Sequence, residues 1–471
     1  MKRNRVQNLS ANALQLVLNQ LFGLVIFYIL SVTLDKNSFG QVNLALAILL
    51  AVFNILSMGI DQLVIKKIAS GDDISSTLSL YIFHVIITGF TFYGLLLVTK
   101  LFWPSAGTAY SLILFIGIGK LMIFLSTPFK QVTNGLERFR LLAYMSIISN
   151  LIRCICLLLF ASEHQITLTT IVIIFVAGDV FELLCSALIF RFAMKVPLSF
   201  TWDKIKYRKL LHEASPQAGV VVITSVLARF DWIFIGLFVS EIKLAEYSFA
   251  YKVYEVATLP MLVIAPLLIP IFTKLFKNQS FNVSNLKFLV RIEMAIAAFI
   301  ILLLNICWSP LIDYLTAGKY GAVNANTIFI LSLCMPFLYM NNFLWTMYFA
   351  QGRLRMILST FIITLIANVL SDVILIPIFK NDGAAAGFLI AQIAQTIFFM
   401  NKNQLAELKN SWQPLLISPL LAICAILISH LLFQNNWLLL LASILTYFVL
   451  LTVTGQVKLT DRKVLIELLT R

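Results

Sequence analysis

The sequence predicts an all-α integral membrane protein of fourteen transmembrane helices, set out as two six-helix lobes followed by two C-terminal helices. Three observations predict it. Of 471 residues, 60% are hydrophobic and 12% are charged, about half the charged share of an ordinary soluble domain. Fourteen apolar runs, most of them about 20 residues or longer, fill the chain, and that is the length a helix needs to cross a bilayer. The bases between the runs also fall on alternate sides.

Hydropathy places the first six spans near 11–33, 42–63, 78–99, 108–129, 141–161 and 168–190. The next six fall near 216–239, 245–271, 287–307, 323–349, 355–379 and 383–400, and the last two near 414–433 and 436–455. With these bounds, 25 of the 35 Lys and Arg lie on the N-terminal side and only Lys36, Lys100, Lys243, Lys319 and Lys380 lie opposite. The positive-inside bias then puts both termini in the cytoplasm of a multi-pass protein of the bacterial cytoplasmic (inner) membrane, facing its lipids. The net charge of +14 is therefore topological, and no nucleic-acid partner is expected. The first apolar run lacks a small-residue cleavage site and reads as a retained helix.

The longest inner stretch, 193–215, carries the densest base cluster and reads as a cytoplasmic linker between an N-lobe (1–192) and a C-lobe (216–402). Residues 403–471 then hold the last two helices and the C-terminal tail. Within the linker, Lys204–Leu211 mixes bases with Ile205, Tyr207, Leu210 and Leu211, which suits an interfacial helix. A weak repeat supports the halves. Ser38–Ala45 is echoed by Lys243–Ala250, and Arg138-Phe139-Arg140 by Arg353-Leu354-Arg355. Prolines mark bends at Pro260, Pro266 and Pro270, at Pro336 and at Pro377.

Away from the span ends, eleven acids and bases sit inside the spans, where each costs about 2.5–3.5 kcal/mol on insertion scales. Such groups point to a pathway for a polar or charged solute. Lys120, Arg153, Arg229 and Lys252 lie too deep to snorkel easily. They either contact an anionic substrate, a guanidinium fork and an ammonium together suiting a diphosphate, or they form internal salt bridges. Glu255 is placed at i+3 to pair with Lys252. Arg229 and Asp231 are about 200° apart on a helix and cannot pair. Arg229 shares a face with Ser225, and Asp231 with Thr224 and Gln217.

Asp179 and Glu182 lie one turn apart, so they either share a proton or cation or pair with Arg153 or Lys120. Arg291, Glu293 and Asp372 read as structural. In the first span Asn12, Gln15, Asn19 and Gly23 fall within about 80° of one another. They serve either as helix–helix hydrogen bonds or as a cavity face for sugar hydroxyls. The six cysteines and four histidines form no CxxC and no cluster, so neither disulfides nor a metal site is expected. No hydrolase triad or Walker loop is present, so the chain is not expected to be an enzyme and needs no cofactor.

Several runs together resemble the polysaccharide-transporter pattern: Asn134–Arg140; Lys209–Pro216; Arg229-Phe230-Asp231 with Ile233, Ile235 and Gly236; Glu246-Tyr247; Ala250–Val253; Gln351-Gly352-Arg353; and Asn381–Gly387. In that order over the whole chain they are similar to the O-antigen and capsule repeat-unit flippases of the multidrug/oligosaccharidyl-lipid/polysaccharide (MOP) exporter superfamily. The resemblance implies two lobes around a central cavity. It implies export of undecaprenyl-diphosphate-linked oligosaccharide by alternating access, with coupling to a proton or sodium gradient left open. Asp179, Glu182, Asp231 and Glu255 are the candidate ion-coupling acids, and they would be the working groups of an antiporter for small organic cations. A polysaccharide polymerase and a chain-length regulator are the implied partners.

Two relatives compete. Lipid II flippases usually show a glycine- and arginine-rich signature around the first two spans, absent here. Multidrug antiporters, the alternative reading, often place an acid in the first span, which has none. A membrane polymerase or ligase would need a sizeable outer loop, and the outer loops here are short.

Overall fold

The computed structural model describes residues 2–102, 107–163, 165–194, 196, 201–261, 268, 272, 283–402, 412–433 and 435–458, with backbone alone for 2–14, 16 and 283–285. Pro266, Pro270, the far end of the eighth predicted span, the side chain of Asn12 and the bases Lys195, Lys274, Lys277, Lys409, Arg462, Lys463 and Arg471 lie outside it.

The described chain is helical over most of the predicted spans. It runs α1 (Lys2–Thr33), α2 (Lys36–Leu56), α3 (Ile60–Ala69), α4 (Ile74–Phe102), α5 (Thr108–Gly135), α6 (Phe139–Ser162) and α7 (Leu168–Ile189). A π-helical turn, Phe190–Met194, follows α7. Then come α8 (Lys204–Phe238), α9 (Glu241–Ala257), α10 (Val283–Thr316), α11 (Ala325–Ala350), α12 (Leu354–Phe379), α13 (Asn381–Asn401), α14 (Trp412–Leu432) and α15 (Asn436–Val453). Among the described residues twelve helices are long and apolar enough to cross a membrane, and Val17–Thr33 within α1 makes a shorter apolar one. With α9 these occupy the fourteen predicted positions. α9 stops at Ala257, with a turn at Thr258, two residues before Pro260, as expected where proline removes a helical hydrogen bond.

Two expectations need correction. The predicted span 42–63 is broken after Leu56, because Met58 (φ 48) and Gly59 (φ 70) both take left-handed conformations that end α2 and start α3 in a new direction. The segment 204–211 is not a separate interfacial helix: it forms the first turns of the continuous α8. At its start Ile205 is 83% exposed, while Leu210 is buried.

Packing groups the chain into two compact units, Met1–Ala245 and Glu246–Arg471. In the first unit α1 packs on α6, α7 on α5 and α6, and α5 also on α2, α3 and α4. α8 packs on α2 and α3. That seat is made of close approaches: a Cβ on Gly40 would lie 1.8 Å from the Glu241 carbonyl oxygen, one on Gly59 2.6 Å from Gln217, and one on Gly236 2.7 Å from Leu44. A Lys67–Glu213 bridge at 2.7 Å adds to it, worth up to about 1 kcal/mol at this partly exposed position.

The α8 entry is also tied to α4. Ser79 Oγ donates to the Thr201 carbonyl and accepts from its N–H, both at 2.9 Å. His84 Nε2 donates to the Leu56 carbonyl at 2.9 Å and, in the neutral ring, Nδ1 accepts from the Tyr207 hydroxyl at 3.0 Å.

In the second unit α11 and α12 pack on α13, and α10 packs on α11, α14 and α15. A core of Ala295, Ala298, Leu302, Ala422, Ala425 and Tyr447 forms where α10, α14 and α15 meet, and the Tyr447 hydroxyl donates to the Ala295 carbonyl at 2.9 Å. Asp313 fastens the loop after α10 by accepting from the Gly321 and Ala322 N–H groups at 2.8 and 3.0 Å.

The weak sequence repeat is stronger in the backbone. α5 ends in Glu137 N–H to Asn134 carbonyl (2.9 Å) and Arg138 N–H to Thr133 carbonyl (3.1 Å), and α11 ends in Gly352 N–H to Phe349 carbonyl (2.9 Å) and Arg353 N–H to Tyr348 carbonyl (3.0 Å). Both are Schellman closures. Each has a left-handed residue, Glu137 (φ 55) or Gly352 (φ 72). Each is followed by an arginine N-cap with φ −87, ψ 56 at Arg138 and φ −82, ψ 54 at Arg353.

Asp35, in the turn between α1 and α2, caps α2 by accepting from the Asn37 and Ser38 N–H groups at 2.9 and 3.0 Å. Hydrogen bonds from Ser38, then from Asn37, hold its carboxyl below the ordinary value. A depressed folded value means the contribution is present above the unfolded pKa and is lost as pH falls through the folded one. Asp35→Ala is therefore expected to cost about 1 kcal/mol at neutral pH. The difference from wild type should vanish in strong acid, as read by thermal melts in detergent across pH.

Candidate functional site

The charged interior of the first unit is built by α5, α6 and α7. Asp179 on α7 is fully buried and takes two bases from different helices, Arg153 of α6 through Nη2 and Lys120 of α5 at 3.7 Å. One turn on, Glu182 accepts from Lys130 of α5 at 2.5 Å and from the Ser149 hydroxyl of α6. The Arg153 guanidinium lies over Phe175, its Cζ 4.6 Å from the ring centroid. Two glycines leave the room: a Cβ on Gly119 would sit 2.5 Å from Asp179 Oδ2, and one on Gly178 3.2 Å from Arg153 Cγ.

The cluster reaches the first span through amides. Arg153 Nη1 donates to Asn150 Oδ1 at 3.3 Å, and Asn150 Nδ2 donates to Asn19 Oδ1 at 3.2 Å. Gln15, one turn earlier on α1, is buried with no partner for its Oε1 among the described residues. Asn19 is thus linked to Arg153 through Asn150, Gln15 lies one turn away on α1, and Asn12 lies where side chains are not described.

Pairing therefore prevails over a shared proton at Asp179 and Glu182, because each carboxylate has its own bases. Lys130, which the sequence places in an inner loop, is a member of this cluster, its side chain only 12% exposed. α5 continues past Pro128 to Gly135 and carries Lys130 inward. Three bases and two acids leave one positive charge in excess.

Also in the first unit, Arg229 on α8 is half-buried and has no carboxylate partner among the described residues. Its guanidinium lies 4.7 Å from the Trp232 ring centroid and donates to the Ala228 carbonyl at 3.2 Å. Cation–π contact of this kind holds an arginine without neutralising it. Asp231, buried on the same helix, accepts from the Trp232 N–H at 2.8 Å.

In the second unit Lys252 donates to Glu255 at 2.6 Å, the expected i,i+3 pair. Elsewhere among its described residues amides and hydroxyls pair with one another beside a few further charges. Asn341 donates to the Gln392 side chain and carbonyl at 2.9 and 3.0 Å and accepts from Thr396 at 2.8 Å. Arg291 holds the Gly455 carbonyl at 3.0 Å, Asp372 is buried beside Gly387, and Glu293 is buried on α10 with Oε1 unpartnered among the described residues.

A chain of long apolar helices with buried, hydrogen-bonded charges is a multi-pass membrane protein. A family model described as "Polysaccharide biosynthesis protein" matches residues 6–276, and the chain belongs to that family. No curated protein sequence matches. Its fold is that of MOP transporters. A lipid II flippase MurJ in an inward closed conformation superposes with a TM-score of 0.74 at 14% identity, over 94% of this chain and 98% of that one. An inward-facing multidrug resistance MATE transporter of the MOP superfamily gives 0.65 at 13% identity, over 86% and 98%. A MOP superfamily transporter from Pyrococcus furiosus gives 0.58 at 14%, over 83% and 92%.

Proposed function

We propose that this protein is a flippase that carries undecaprenyl-diphosphate-linked oligosaccharide repeat units, of O-antigen, capsule or a related polysaccharide, from the inner to the outer leaflet of the bacterial cytoplasmic membrane. It works by alternating access and performs no covalent chemistry. The observation that carries this reading is the state of Arg229. Among the described residues it is an intramembrane base held by an aromatic face with no carboxylate partner, so its charge is available to a diphosphate. Lys252 is the second anchor. Lys120 and Arg153 can meet an anionic head group only by exchanging Asp179 for it, and Asn12, Gln15 and Asn19 solvate sugars. That exchange suits coupling to protons or sodium at Asp179, Glu182, Asp231 and Glu255.

In this scheme the working lobes are 1–192 and 216–402, joined by 193–215, with 403–471 appended. A polymerase and a chain-length regulator would receive the cargo. The seat of α8 on α2 and α3 is then the contact that the cycle breaks and remakes.

Arg229→Gln with Lys252→Gln is expected to abolish surface polysaccharide while leaving protein levels in the membrane unchanged. Full polymer production by that variant overturns the assignment. Normal glycans with altered drug resistance on deletion would favour the cation-coupled multidrug antiporter instead.

A further inference from the structure

We propose that Glu293 is a proton-binding site of the second unit, a carboxyl on α10 that takes up and releases a proton with the hydroxyls of Tyr339 and Tyr254 as its polar neighbours. Glu293 is 4% exposed, and both tyrosines are buried. Its Oε1 and the two hydroxyls have no side-chain partner among the described residues. The three groups come from three helices. Tyr339 of α11, beside the Met261 backbone, interacts electrostatically with Glu293, and Tyr254 of α9 with Tyr339.

The setting differs from that of the paired acids. Asp179 and Glu182 each hold bases, and Glu255 holds Lys252 on α9. The helices packed on α10 bring no such counter-charge. α11 carries no charged residue, and the ionisable groups of α14 and α15 are Cys424, His430 and Tyr447. His430 lies in the last turn of α14, and the Tyr447 hydroxyl is taken by the Ala295 carbonyl. On α10 itself Lys287 is exposed and Arg291 holds the Gly455 carbonyl.

A buried carboxylate without a counter-charge gives up its charge by taking a proton. Tyrosine hydroxyls suit both states, since each can accept from the acid and donate to the carboxylate. Glutamine would fill the same volume with no ionisable group, so the carboxyl has a use only if the proton leaves. Loading forms an O–H bond with a proton from water, and release breaks it and returns the proton to water. Its use in transport rests on the proposed function, with the proton drawn from one side of the membrane and returned to the other.

The test follows the carboxylic-acid C=O band of the full chain in phosphatidylcholine nanodiscs by infrared difference spectroscopy at neutral pH, where solvent-facing acids are ionised. The band should be present in wild type, be missing from Glu293→Gln and shift in Tyr339→Phe, while the melting temperature of Glu293→Gln stays unchanged. In cells Glu293→Gln, a mimic of the loaded state, should lower surface polysaccharide about tenfold at equal protein level, and Glu293→Asp should retain more of it.

An identical band in Glu293→Gln overturns proton binding. A wild-type band that sodium chloride removes and choline chloride leaves overturns it too, assigning the site to a metal cation. An unmoved band in Tyr339→Phe removes the tyrosine from the site. Full polymer from Glu293→Gln shows a proton that never leaves and overturns the exchange. The band in wild type with normal polymer from the Arg229→Gln, Lys252→Gln variant keeps the proton and rejects the flippase.

Discussion

Asp179→Ala is expected to destabilise the protein by about 3–5 kcal/mol, the cost of leaving buried bases without their counter-charge. Lys120 and Arg153 both rely on that carboxylate, and their side chains are only 10% and 7% exposed. The readout is a large fall in melting temperature and in the amount of protein recovered from membranes. A compensated variant separates structure from transport. Lys120→Met, Arg153→Leu and Asp179→Leu together remove Asp179 with both its bases and leave the Lys130–Glu182 pair in place, and such apolar replacements are often neutral or stabilising. That variant should fold. If these charges serve the transport cycle, it should also fail to support surface polysaccharide, and full support would make the cluster purely structural.

The second large effect is expected at Gly40. A methyl group there would meet the main-chain oxygen of Glu241 at 1.8 Å, with the carbonyl carbon at 2.5 Å. Backbone cannot swing aside as a side-chain tip can, so α2 must move off the start of α9. Gly40→Ala is expected to cost about 3 kcal/mol, the upper part of the usual overpacking range. It should also bias the protein toward whichever state has this contact open. A cysteine at Ser38 should then react faster with a water-soluble maleimide in the Gly40→Ala background. Unchanged labelling and melting would show that the contact is not close-packed in the membrane.

The spans were legible because hydropathy and base placement report the bilayer directly, and so was the Lys252–Glu255 pair, which is local to one helix. The partners of Asp179 and Glu182 were not. They come from α5 and α6, and spacing within α7 cannot say which neighbours face it. Lys130 was hidden for a different reason. Pro128 suggests a helix end, yet proline within α5 costs a hydrogen bond without stopping the helix, and the next turn buries the lysine. The α2–α3 break escaped notice because Met58, a residue that rarely takes positive φ, precedes Gly59.

The paired corners at Glu137–Arg138 and Gly352–Arg353 repeat one main-chain device at matching positions in the two halves of the chain. Their side chains have only an Arg-x-Arg in common, and even the left-handed residue is glutamate in one corner and glycine in the other. The main-chain bonding has the same pattern at the same offset. The interiors of the two halves differ, with fixed charges in the first and amides and hydroxyls through much of the described second.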